Sequence, residues 1–96
     1  MPNSQDFTEV VSTLGEKIQV MREKRGFSQT ELANRAEVQR KSLQNIEYAR
    51  GSMKRADGTY GIGNPKLDTV HALARALNVD LAYLVDPAVP VYPLPE

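Results

Sequence analysis

The 96-residue chain predicts an all-α fold of five helical stretches, and three observations carry that expectation. Apolar residues recur at helical spacing in successive stretches. Capping signals stand in front of several of those stretches. Four of the six glycines gather in a single connection, Gly51 to Gly63, rather than interrupting the stripes.

The first stripe is Leu14, Ile18 and Met21, with Phe7, Val10 and Val11 continuing it toward the N-terminus. It has two readings. Thr13 and Glu16 have capping-box spacing, so a core helix runs from Leu14 to Arg25 and stops at Gly26, with residues 1–13 as a helical arm. The other reading is one longer helix from near Gln5, which Gly15 weakens because glycine costs helix stability. The first is favoured.

Ser28-Gln29-Thr30-Glu31 is a second capping box, and Leu32, Ala33 and Ala36 give a short helix from Gln29 to about Arg35. A break at Ala36-Glu37-Val38 leads to a helix from Gln39 to Tyr48, with Leu43 and Ile46 inward. Two short helices joined by a tight turn form a helix-turn-helix pattern over residues 28–48. The stretch 51–64 reads as a long basic loop; Asp57-Gly58 favours a turn that would fold it into a hairpin. Pro65 suits a helix start, and Leu67, Val70, Leu73, Ala74 and Leu77 form an amphipathic stripe. Asp80 caps a last turn carrying Leu81, Leu84 and Val85. Residues 87–96 hold Pro87, Pro90, Pro93 and Pro95 and read as an extended tail. The domain therefore spans 14–86.

The net charge is zero, but it is segregated. Residues 14–55 carry ten Lys/Arg against five Glu, a surplus of five, while residues 1–13 carry −2 and 56–96 carry −3. One basic region beside acidic flanks suits a face that meets a polyanion. With no cysteine, disulfides, thiol catalysis and the usual zinc sites are excluded. No glycine-rich phosphate loop or nucleophile–base pair is present, so an enzyme is the least supported class, and no cofactor is expected. The lone His71 has no second histidine or cysteine for a metal. No apolar run is long enough to span a membrane, and the N-terminus lacks the order of a secretion signal, so the expectation is cytoplasmic.

Residues 14–50 and 65–85 resemble the lambda-repressor-like helix-turn-helix family, of the Cro/C1 or xenobiotic-response-element type. The matching residues are Leu14 to Ile18, Met21 to Gln29, Glu31-Leu32-Ala33, Val38 to Glu47, then Pro65, Leu67, Thr69 and Leu73 to Val79. The resemblance implies a five-helix bundle that binds double-stranded DNA, with helix 39–48 in the major groove. It implies base contacts from Gln39, Arg40, Lys41 and Asn45. Those residue types suit the task, since Asn or Gln pairs with adenine and Arg or Lys with guanine. Gln29 matches a family position that holds a DNA phosphate, and Ser42 and Gln44 fall at phosphate or the edge of the contact. Arg22 and Glu47 match a paired arginine and glutamate of structural role.

Two departures stand out. Many members place a glycine two residues after that glutamate, whereas Glu47-Tyr48-Ala49-Arg50-Gly51 delays it. The connection to Pro65 is also longer than usual, and Arg50, Lys54 and Arg55 make it basic; Lys54 and Arg55 are read as phosphate contacts. A domain this small covers one half-site, so a homodimer is expected. The family's last two helices point to Leu81, Tyr83, Leu84 and Val85 as its interface. A toxin or other regulator is the alternative partner, for an antitoxin or adaptor. With 96 residues taken up by one domain, the control signal is expected from concentration, a partner or degradation rather than from a ligand-binding domain.

Overall fold

A computed structural model of the chain describes residues 4–96, and at positions 4–6, 52–54, 60 and 62 the backbone alone. Helix α1 spans Ser4–Lys24, α2 Gln29–Ala36 and α3 Arg40–Glu47. Strands β1 (Arg50–Lys54) and β2 (Tyr60–Ile62) follow, then α4 (Leu67–Leu77) and α5 (Leu81–Val85). The five helices are as expected, and the long connection folds into an antiparallel β-hairpin about Asp57-Gly58, the alternative that its turn signal offered. Arg50 pairs with Ile62 and Lys54 with Tyr60, with an irregular register between them. Its turn is closed by the Gly58 amide on the Arg55 carbonyl at 3.0 Å, and Asp57 accepts from the Thr59 amide at 3.0 Å.

The favoured reading of the first helix is corrected. α1 is one continuous helix, and Thr13 does not cap it: its hydroxyl donates back to the Glu9 carbonyl at 2.8 Å. Gly15 sits mid-helix because α3 crosses it. A Cβ there would stand 2.5 Å from the Ile46 carbonyl oxygen and 2.9 Å from that of Glu47. The glycine counted against a long helix is the point where the recognition unit docks.

The core gathers Leu14, Ile18 and Met21 from α1 with Leu32, Leu43, Ile46, Val70, Leu73, Leu77 and Leu84. Each buried side chain of this kind stabilises the fold by about 1.5–3 kcal/mol. Leu67, by contrast, is 68% exposed at the start of α4 and does not join the stripe. Lys17 is fully buried among these residues. Its Nζ donates to the Asp86 carbonyl at 2.9 Å and lies 5.0 Å from the Tyr83 ring centroid, fastening the end of α5 to α1. Burial pushes the Lys17 amine below its ordinary value, more than nearby Asp86 raises it.

The tail is not a free extension. Val89 and Leu94 pack on the core, and the Tyr83 hydroxyl donates to the Val91 carbonyl at 3.0 Å. Lys24 donates to the Pro95 carbonyl, and Arg25 to the Leu77 and Glu96 main-chain oxygens at 3.0 and 2.8 Å. Tyr83 and Leu84, expected at a dimer interface, are 7% and 0% exposed inside the domain. Leu81 and Val85 remain half-buried.

Candidate nucleic-acid interface

The α2–turn–α3 unit forms for local reasons visible in the chain. Ser28 caps α2: its Oγ accepts from the Glu31 amide at 3.0 Å, and Glu31 accepts from the Ser28 amide at 3.3 Å. Glu37 ends α2 in the left-handed conformation, φ 57°, and sends its amide back to Asn34. That reversal sets the direction in which α3 leaves.

Gln39 is the N-cap of α3, with no side-chain hydrogen bond to the helix, and Gln39, Arg40 and Lys41 are all exposed. Three consecutive long polar side chains thus project from one helix end. Ser42 and Gln44 are half-buried.

The far end of α3 is locked. Glu47, with its side chain 1% exposed, accepts from Arg22 Nε at 2.8 Å and Nη2 at 3.1 Å. Arg22 also donates through Nη1 to the Phe27 carbonyl at 3.0 Å, fixing the α1–α2 turn. The hydrogen bond that Arg22 donates to Glu47 is the chief reason its guanidinium lies above its ordinary pKa. Gln29 donates to Glu47 at 3.1 Å and accepts from Gln44 at 3.2 Å. One carboxylate thereby ties α1, α2 and α3 together, and the side chains of Gln29 and Gln44 belong to that chain of bonds. The main-chain amide of Gln29 still opens α2, where free amides attract anions.

Two expectations about the outer face are corrected. Asn45 does not project beside Lys41: it is 8% exposed, and its Oδ1 accepts from Arg50 Nε at 3.0 Å. Arg50 is accordingly turned toward α3, with its guanidinium 4.9 Å from the Tyr48 ring centroid. Arg55 is exposed beside the turn, its Nη2 near the face of Gly61. The Lys54 side chain lies outside the described residues. The delayed glycine is also explained: Ala49, two places after Glu47, itself takes the left-handed turn at φ 54°. Gln39, Ser42, Asn45, Arg50 and Lys66 line an open groove of about 760 Å³ between α3, the hairpin base and α4.

Lys17 and the Arg50–Asn45 bond were missed by sequence reasoning. For Lys17 a signal was available, since it stands three residues after Leu14 and four before Met21 on the same helical face. Among the described residues, no group of three or more His, Cys, Asp or Glu is placed to hold a metal ion, and no helix is long and apolar enough to cross a membrane.

A capped short helix, a left-handed turn and a second helix with an exposed polar end define a helix-turn-helix protein. Residues 13–84 match the helix-turn-helix domain family, and the chain belongs to it, as a DNA-binding protein of the lambda-repressor-like type. No curated protein sequence matches the chain. Among solved structures it is similar to a hypothetical transcription factor, NHTF, from Neisseria, at 24% identity and a TM-score of 0.63. That match covers 88% of this chain and 80% of the other, and speaks to the fold.

Proposed function

We propose that the protein is a sequence-specific repressor of transcription that acts in the cytoplasm as a homodimer on a palindromic operator. The observation that carries this reading is the exposed run Gln39, Arg40 and Lys41 on a helix whose other end is locked through Glu47. A rigid mount with free reading side chains is what base recognition in the major groove requires. Arg40 and Lys41 pair with guanine edges and Gln39 with adenine. The Gln29 amide, Ser42, Gln44, Lys54 and Arg55 meet phosphates and set the register.

Each domain reads one half-site, and two copies span half-sites about 34–36 Å apart. Leu81 and Val85, half-buried on α5, are what remains of the expected interface once Tyr83 and Leu84 are assigned to the core.

Selection of bound sequences from random duplex DNA tests the reading. Wild-type protein yields an inverted repeat, and Arg40→Ala and Lys41→Ala each relax one guanine position by about 1–3 kcal/mol of discrimination. A wild-type protein that enriches no half-site overturns it and favours a module that binds another protein.

A further inference from the structure

Lys41 and Asn45 stand one helical turn apart on α3 and so share a side of that helix. Lys41 is exposed, whereas Asn45 is 8% exposed. Arg50 accounts for part of that difference, reaching back from the first position of β1 to place its Nε 3.0 Å from Asn45 Oδ1. Oδ1 is the atom with which an asparagine accepts the adenine amino group in a bidentate contact. Held by a guanidinium, it is not offered to a base.

Arg50 is itself fixed by the hairpin. Its backbone pairs with Ile62, and a Cβ on Gly63 would stand 2.9 Å from the Arg50 carbonyl oxygen, so the two chains close tightly at the hairpin base. The Tyr48 ring beneath the guanidinium holds the other side. The groove that Asn45 and Arg50 line runs to Gln39, one of the readers.

We propose that Arg50 is a specificity-determining positioning residue: it withholds Asn45 from the DNA and so confines base readout to the N-terminal end of α3. The hairpin thereby shapes the operator preference from a position that reads no base itself. This rests on the DNA-reading function proposed above.

The test is selection from random duplex DNA with the full chain as wild type, Asn45→Ala, Asn45→Asp, Arg50→Met and the Arg50→Met/Asn45→Ala double variant. Wild type, Asn45→Ala and Asn45→Asp are expected to share one consensus. Arg50→Met gains an adenine preference at one further position, worth about five- to 150-fold, and the double variant loses it. A wild-type consensus containing an adenine that Asn45→Ala loses, or that Asn45→Asp exchanges for cytosine, overturns this inference alone. An Arg50→Met protein with a native circular dichroism spectrum and an unchanged consensus also overturns it. Should Arg50→Met fail to fold, the Asn45→Asp arm decides: an unchanged consensus with a raised Tm, from the new ion pair with Arg50, supports the proposal. A wild type without any consensus overturns this proposal together with the DNA-reading function.

Discussion

Gly15 on α1 and Ile46 on α3 touch through backbone: a Cβ on the glycine would lie 2.5 Å from the Ile46 carbonyl oxygen. The contact lets the helix that carries the reading residues seat against the longest helix of the domain. Gly15→Ala sets two effects against each other. Alanine improves helix propensity by about 1 kcal/mol, but overpacking against rigid backbone costs about 1–3 kcal/mol or more. With a backbone oxygen in the way the second effect wins, and a net loss on the order of 2 kcal/mol is expected in urea unfolding. Equal or higher stability of the alanine variant would show that α3 moves aside without cost.

Glu47 is the shared acceptor for Arg22 and Gln29, with its side chain 1% exposed. Removing it leaves the Arg22 guanidinium, itself 14% exposed, without its counter-charge. Breaking a buried pair by deleting one partner costs about 3–5 kcal/mol. Glu23, exposed on α1, is the comparison, where surface substitutions stay within about 0.5 kcal/mol. Glu47→Ala is therefore expected to melt far below Glu23→Ala, and equal melting temperatures would remove Glu47 from its place as the hub.

What the chain announced and what it concealed divide along the range of the interactions. The Ser28–Glu31 box, the α4 stripe from Val70 to Leu77 and the Arg22–Glu47 pair were legible, the first two because their partners lie within a turn or two of helix. The ion pair was legible only through the family pattern, since 25 residues separate its members. Gly15 misled because its propensity penalty is local and its use is not. Asn45 misled for a similar reason: helical spacing places it beside Lys41, and the hairpin's return through Arg50, which engages it, is not local. Tyr83 and Leu84 read as surface because a five-residue helix has too few turns to reveal its inner side, and the tail that covers Tyr83 carries no periodicity.

Lys17 gives stability a pH dependence whose sign follows from its lowered pKa. Between the folded value and the ordinary 10.5, the unfolded chain binds the proton more strongly than the folded one. Stability then rises with pH across that window, as the burial penalty on the ammonium is relieved. Tyr83 acts in the opposite sense above 10.0, because burial, more than nearby Tyr92 and Glu16, raises its pKa in the folded state. The clean measurement is the difference between wild type and Lys17→Met in urea midpoint as pH climbs toward 10. Wild type is expected to gain on the variant across that range, and a constant difference would place the Lys17 amine at its ordinary value.

The hairpin supplies the final test, because Arg50 at its base and the Lys54-Arg55 pair before its turn are expected to do different work. Arg50 keeps its charge, but its Nε is engaged with Asn45 and its guanidinium with Tyr48, so a direct phosphate contact would have to break those bonds. Arg55 stands exposed beside the turn, and Lys54 precedes it at the end of β1. Each phosphate neutralised by a bound cation releases about 0.9 of a counterion, which appears as slope in log affinity against log salt. Replacing Lys54 and Arg55 together with alanine is expected to reduce that slope by roughly one to two without changing the preferred sequence. Arg50→Met is expected to do the reverse, shifting the preference while leaving the slope nearly intact. Fluorescence anisotropy titrations of one operator duplex at several salt concentrations separate the two outcomes. An unchanged slope in the Lys54/Arg55 variant would mean that the hairpin turn does not reach the DNA backbone.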